Sequence, residues 1–480
     1  MAIAAGKYHI WTVGCQMNMA DSQRVAAIMG DLGWEDVPTM AEANLVILNT
    51  CSVRASPEVK AHGQLSLLKY AKKQRADLLV AMMGCMIGNQ RTIDDLAKRY
   101  PQVDLFFKVE QADILPNFLE ERWTPIATGD GCVDVAEVGA AQAVSMERSG
   151  SVLPVINGTL LPMSITPKPA TRELHYPTQL APLEKPTAWL PVVLGCNKVC
   201  SYCIVPSRRG RERSRPVEEL LAETTSLVAR GAREITLLGQ TVEAYGLDLP
   251  DQPSLSHLMA RLSEIDGLRR IRFMTSYPRH FTDAMIHEMA ALPKVCEHVN
   301  IPVQHGDDGM LTRMRRGYTL LEYRTLIDKL RAWWPGVTLS TDVIVGFCGE
   351  TEDEFAHLLD LLREIRFDIV HVAMYSPRPG TLSYKWEDDV PLEVKKARLH
   401  AVEDVQQAIA LELNSAIVGT TQSVLLEERQ ESGERLLWKG RTRSNKLAFF
   451  PIIDDGAQPG DERDVLIERT SAWSMQGTLA

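Results

Sequence analysis

A chain of 480 residues with 45% hydrophobic and 24% charged residues has the balance of an ordinary folded protein, and its length suggests about three domains. A formal net charge of −10 excludes wholesale electrostatic attraction to nucleic acid and leaves only local basic patches for such contacts. No run of about 18 apolar residues occurs, and the N-terminal MAIAAGKYHIWTVG has no secretory core, so a cytoplasmic protein without a membrane partner is expected. Nine cysteines in a reducing compartment then point to metal or redox chemistry before disulfides.

In residues 1–125 three short apolar runs each end in a cysteine: YHIWTVGCQMN at Cys15, ANLVILNTCSVR at Cys51 and LLVAMMGCMIG at Cys85. Each is followed by a helix-like stretch, and the repeat is close to one strand, helix and return strand. If the strands are parallel, the three thiols leave the same sheet edge, where loops converge on ligand sites. The bland alternative is three buried core cysteines. Asp21 and Ser22 are candidate caps for the first helix, and Ser52 or Ser56 with Pro57 for the second. The motifs GCQMNMADS, NTCSVR and GCMIG resemble the N-terminal domain of the methylthiotransferases, which implies that Cys15, Cys51 and Cys85 hold an auxiliary [4Fe-4S] cluster.

Residues 126–187 are rich in Ala, Gly, Pro and small polar residues without sustained periodicity and read as a linker. Cys132 within it repeats no strand-then-cysteine pattern and is read as a bystander.

The stretch LPVVLGCNKVCSYCIVPSRRGRERSRP places Cys196, Cys200 and Cys203 after an apolar run, Leu190 to Leu194, that reads as a buried strand. A structural zinc site wants a fourth ligand that does not follow, a disulfide leaves an odd thiol, and a ferredoxin loop uses a different spacing. Three thiolates on a four-iron cluster leave one iron open. The spacing C-x3-C-x2-C, with Tyr202 before the third cysteine, resembles the signature of radical S-adenosylmethionine (SAM) enzymes.

From residue 188 to about 410, six strand-like runs alternate with amphipathic helices: the cluster strand, REITLLGQ, RRIRFMTS, EHVNIPVQ, VTLSTDVIVGF and FDIVHVAMYS. Such a series predicts a parallel sheet rolled into a (β/α)6 partial TIM barrel with its site at the C-terminal strand ends. Gly239, Gln240, Gln304, Ile344 and Gly346 lie at those ends and, with Tyr202, match positions where the resemblance implies contacts to SAM. DVIVGFCGE resembles the family's DxIxGFPGE, with Cys348 in place of Pro and therefore a spare thiol close to the expected pocket. Cys296, before the fourth strand, reads as structural. Arginine clusters at 208–215, 269–272 and 313–316 fit either phosphate contacts or a solvated face.

Residues 411–480 turn to alternating strands, with Glu431-Ser432-Gly433-Glu434 as a hairpin signal. A small β-barrel is predicted, and it resembles the RNA-binding TRAM domain. Trp438, Lys439, Arg441, Arg443 and Lys446 would form its basic and aromatic face.

The resemblance thus covers nearly the whole chain: an α/β protein with a methylthiotransferase N-terminal domain (1–125), linker (126–187), radical SAM core (188–410) and TRAM domain (411–480). It implies two [4Fe-4S] clusters and SAM, and transfer of a methylthio group to C2 of N6-isopentenyladenosine in the anticodon stem-loop of tRNA. A monomer is expected, served by an electron donor such as flavodoxin or ferredoxin and by a sulfur source. Methylthiolation of threonylcarbamoyladenosine or of a ribosomal-protein aspartate remains open, as does an iron-sulfur carrier or scaffold that binds RNA.

Overall fold

A computed structural model of the protein describes residues 4–53, 55–88, 90–123, 155–156, 159–160, 183–433, 435–453 and 456–480. The chain forms two compact units, Met1–Ser52 with Ser56–Arg172 and Val53–Ala55 with Glu173–Ala480. Cys132 lies outside the described residues.

The first unit runs β1 (Lys7–Thr12), α1 (Gln16–Asp31), β2 (Glu35–Asp36), β3 (Leu45–Thr50), α2 (Ala55–Gln74), β4 (Leu79–Gly84), α3 (Gln90–Arg99), β5 (Leu105–Phe106) and α4 (Leu115–Arg122). Strands β2, β1, β3, β4 and β5 are parallel neighbours in that order. The apolar run of β3 is buried throughout because helices cover both faces: Val46 and Leu48 pack with α2 and α3, and Leu45 and Ile47 with α1 and α4. A continuous hydrophobic run is what a doubly covered parallel strand requires. Two short antiparallel strands, β6 (Val155–Ile156) and β7 (Thr159–Leu160), extend this sheet from within the segment read as a linker.

Asp21 and Ser22 are not caps. Helix α1 starts earlier, with Cys15 itself at the N-cap, and both residues are buried inside the helix. The Ser22 hydroxyl meets Thr12 Oγ1 at 2.7 Å and accepts from Asn49 Nδ2. Pro57 does fall in the first turn of α2, where a missing amide costs nothing.

The second unit contains all six expected strands: β8 (Thr187–Pro191), then β9 (Val193–Leu194), α5 (Val205–Arg209), β10 (Arg213–Ser214), α6 (Val217–Ala229), β11 (Glu234–Leu238), α7 (Leu255–Ser263) and β12 (Arg270–Met274). There follow α8 (Asp283–Ala291), β13 (His298–Asn300), α9 (Asp308–Arg313), α10 (Leu320–Trp333), β14 (Thr338–Val345), α11 (Glu352–Ile365), β15 (Ile369–Met374) and α12 (Leu392–Ser415). β8, β11 and β12 pair in parallel, as do β13, β14 and β15, and an Ile271–Val295 bridge joins the two halves. Among the described residues the first and sixth strands do not pair, so the barrel is partial.

The barrel strand entering the Cys196 loop is shorter than the sequence suggests. It ends at Pro191, and Val193–Leu194 instead pairs antiparallel with Arg213–Ser214. Past it the Val192 amide still bonds Leu238 O at 2.8 Å, while the Val192 carbonyl turns to Arg215 N (3.0 Å) and hands the chain to the β9–β10 ribbon.

The C-terminal segment closes into a five-stranded barrel of β16 (Thr421–Ser432), β17 (Arg435–Thr442), β18 (Leu447–Pro451), β19 (Glu462–Thr470) and β20 (Met475–Leu479). The β16–β17 hairpin turns at Gly433, φ +62°. The small barrel docks on the N-terminal ends of the parallel strands. Arg270, fully buried, pairs with Glu462 at 2.6 Å and donates to Arg441 O; Arg272 donates to Thr442 O and Arg443 O. Arg443 pairs with Glu297, and Lys446 with Asp368, each at 2.6 Å.

Candidate functional site

The three cysteines of the first unit follow β1, β3 and β4, which are adjacent and parallel, so their loops meet at one sheet edge. A pair of asparagines ties these loops together. Asn18 Nδ2 donates to Asn49 Oδ1 (2.8 Å) and Thr50 O (2.9 Å), while Asn49 Nδ2 donates to Asn18 O (2.6 Å). Cys85 N bonds Thr50 O at 2.7 Å, and Ser52 Oγ donates to Cys85 O at 2.9 Å. Gly84 is required here: its φ is +94°, and a Cβ would lie 2.3 Å from Thr50 O. Cys51 and Cys85 are buried and Cys15 is half-buried, its thiol donating to Asn18 Oδ1 at 3.4 Å. Cys15 also stands at the positive end of the α1 dipole.

In the second unit the β9–β10 ribbon staples the base of the loop bearing Cys196, Cys200 and Cys203. Cys196 N bonds Gly210 O (3.0 Å), and Asn197 and Glu212 exchange hydrogen bonds across the loop. Gly195, φ +77°, passes so close to Arg211 O that a Cβ would sit 2.1 Å away. Cys203 N closes a tight turn onto Cys200 O (3.1 Å). The sulfurs already accept hydrogen bonds, Cys196 Sγ from Lys198 N and Cys200 Sγ from Arg316 Nη1, both at 3.4 Å. Burial pushes the Cys196 thiol up to about 11 and the Cys203 thiol up to about 12. Without a metal these sites favour neutral thiols, so loading them with iron would release protons. Among the described residues no group of three His, Cys, Asp or Glu side chains is set to hold a single ion; a four-iron cage instead takes each thiolate on a different iron.

The residues expected at the SAM pocket lie at the C-terminal ends of the parallel strands. The Tyr202 ring sits edge-on to Phe347 (6.2 Å) and, with Ile344, flanks a buried group of Met310, Met314, Phe347, Cys348 and Tyr375. Cys348 is thus enclosed by apolar side chains. Gly239 is buried against Val193 and Val242, and Gln240 beside it is half-buried. Gln304 has φ +74° and is held by its amide to Asp342 O and its carbonyl to Ile344 N; Gly346 has φ +69° and donates to Glu350 Oε2. Thr275, at the end of β12, has φ +68°. Two non-glycine residues in the left-handed region, each costing about 1–3 kcal/mol, at neighbouring strand ends mark where the fold accepts strain.

Three features escaped the sequence reading. Glu350 is buried between His305 Nε2 (2.8 Å) and Arg398 Nη1 (2.6 Å), so it clamps the loops after β13 and β14 to α12. Glu243, after β11, is buried without a well-formed hydrogen bond to either oxygen, and burial pushes its carboxyl up to about 8. Arg316 reaches Cys200. For Glu350 and Arg316 the partners come from distant loops, which no local pattern announces.

The basic residues singled out in the sequence take different places in the fold. Arg270 and Arg272 bury themselves against the small barrel, and Arg313 pairs with Glu354, which leaves Arg269 and Arg315 as the exposed members of those two clusters. Of the first cluster only Arg211 and Arg213 are exposed; Arg215 is buried against Glu219 and Glu223. The proposed RNA face of the small barrel is occupied: Trp438 is core, Lys439 pairs with Glu428, Arg441 with Glu427, and Arg443 and Lys446 dock the parallel barrel.

A six-stranded parallel barrel with a C-x3-C-x2-C loop at its C-terminal edge defines a radical SAM protein. Residues 190–362 match the Radical SAM superfamily, and residues 7–108 match a family described as "Uncharacterized protein family UPF0004". A radical S-adenosylmethionine methyltransferase from Kitasatospora setae shares the fold, with TM-score 0.52 at 18% identity over 79% of this chain and 74% of that one. The tRNA-2-methylthio-N(6)-dimethylallyladenosine synthase of Chloroflexus aurantiacus is 40% identical, covering 98% of this chain and 91% of the relative. The synthase of the same name from Dictyoglomus thermophilum is 39% identical over 98% of each. The chain belongs to the tRNA-2-methylthio-N(6)-dimethylallyladenosine synthase family and is a radical SAM enzyme, a class that uses a [4Fe-4S] cluster and SAM. No helix among the described residues is long and apolar enough to cross a membrane.

Proposed function

We propose that the protein is a methylthiotransferase acting on C2 of N6-isopentenyladenosine next to the anticodon of tRNA. The observation that carries this reading is the pair of three-thiol sites, one at the edge of each unit's parallel sheet, in a chain similar over its full length to synthases of that name. When bound, a cluster at Cys196, Cys200 and Cys203 supplies the electron that cleaves SAM to the radical, and one at Cys15, Cys51 and Cys85 supplies the sulfur that becomes the methylthio group.

The chain's own residues set the conditions for this. The apolar group around Phe347 beneath Tyr202 keeps water from one side of the thiol loop. Glu350 holds the Gly346 amide and the His305 loop in place, so Gln304, Ile344 and Gly346 form a preorganised rim for the methionyl and nucleoside parts of SAM. The Asn18–Asn49 pair fixes the spacing of the other three thiols. An electron donor, a sulfur source and monomeric action complete the reading.

The test is mass spectrometry of nucleosides from tRNA incubated with the reconstituted protein, SAM and a reductant. Methylthiolated isopentenyladenosine is the expected product. Product on threonylcarbamoyladenosine, or on a ribosomal-protein aspartate, would overturn the substrate assignment.

A further inference from the structure

Arg316 is buried, and among the described residues no carboxylate pairs with it. Its donors go instead to neutral groups: Nε to Tyr318 OH (3.1 Å), Nη2 to Pro302 O (2.9 Å) and Nη1 to Tyr202 OH (3.4 Å). Its guanidinium lies over the rings of Tyr277 at 5.0 Å and Tyr318 at 5.4 Å. A desolvated cation without an anion is expensive, and proteins rarely leave one so. The remaining contact of Nη1 is Cys200 Sγ at 3.4 Å. The missing negative charge therefore belongs on that sulfur.

We propose that Arg316 is the buried counter-ion of the barrel cluster: its charged N–H donates to the Cys200 thiolate and raises the cluster's reduction potential. Reduction adds negative charge to the cluster, so a fixed positive charge and a hydrogen bond to a ligand sulfur favour the reduced state. Arg316 is a positioning residue, acting through Cys200. Tyr318, Tyr202 and the Pro302 carbonyl hold the guanidinium in register, so the charge is placed before any ligand arrives.

The inference rests on Cys196, Cys200 and Cys203 as cluster ligands, and the test separates the two ideas. Full-length protein is reconstituted with iron and sulfide, and both clusters are followed by electron paramagnetic resonance during a redox titration, for wild type, Arg316→Lys and Arg316→Met. The expected result is a midpoint shifted to more negative potential for the barrel cluster in Arg316→Met, a smaller shift in Arg316→Lys, and an unmoved midpoint for the Cys15, Cys51 and Cys85 cluster. A barrel cluster present at wild-type occupancy in Arg316→Met with an unmoved midpoint overturns the inference. So does a loss of cluster in Arg316→Met combined with an unmoved midpoint in Arg316→Lys, since that pattern marks a packing role. If Cys200→Ala keeps the barrel cluster's signal, the ligand assignment fails instead.

Discussion

Glu243 shows what a single residue can hide. A buried carboxyl without good partners keeps its proton, and burial raises it from the ordinary glutamate range to about 8. The folded state then binds a proton that the unfolded chain has released, so this contribution is complete below the ordinary range and is lost as pH rises through about 8. Glu243→Gln removes the loss. Thermal melts should show the variant more stable than wild type by about 1–3 kcal/mol at pH 8.5, with the gap shrinking toward pH 4.5; a pH-independent gap would contradict the burial argument. Asn49 poses the opposite case, a buried amide whose bonds tie the end of β3 to the helix that follows Cys15. Asn49→Ala is expected to lower bound iron by about half, by loss of one of two similar clusters, while SAM cleavage persists; full iron content would contradict this. The placement of the six cysteines on loops after parallel strands was legible because strand-then-cysteine repeats and C-x3-C-x2-C are local patterns. Arg316, Glu243 and Glu350 were not, because what distinguishes them is burial against groups far away in the chain.

At the scale of elements, hydrophobic periodicity sufficed for the six barrel strands, each a short apolar run between amphipathic helices. It overran at the first strand, where the run to Leu194 leaves the parallel ladder for the β9–β10 ribbon. The burial of Arg215, Arg270 and Arg272 was not legible for a physical reason: charge in the sequence does not say whether a carboxylate or carbonyl waits across an interface. Arg270 and Glu462 are separated by 192 residues yet meet at 2.6 Å. Arg270 is fully buried while Glu462 keeps 31% of its side chain exposed, so removing Arg270 costs about 1–3 kcal/mol through its lost charge-assisted hydrogen bonds. Arg270→Ala should therefore lower the urea midpoint and make the segment joining α12 to β16 cleavable by protease under native conditions. An unchanged midpoint and cleavage pattern would mean that the small barrel is held by its apolar contacts alone.

For the whole molecule, the division of labour follows from the fold. Each unit holds parallel strands followed by loops that carry three cysteines at one edge. The small barrel closes the opposite, N-terminal face of the radical SAM sheet, where stability rather than catalysis resides. The proposed pair of centres, with separate tasks, predicts separable failures. The measurement that tests this most directly compares reconstituted Cys15→Ala and Cys200→Ala, reading SAM cleavage to 5'-deoxyadenosine and methylthiolated tRNA in the same reactions. Cys15→Ala should cleave SAM yet form no methylthio product, and Cys200→Ala should do neither; methylthiolated tRNA from Cys15→Ala would contradict the account.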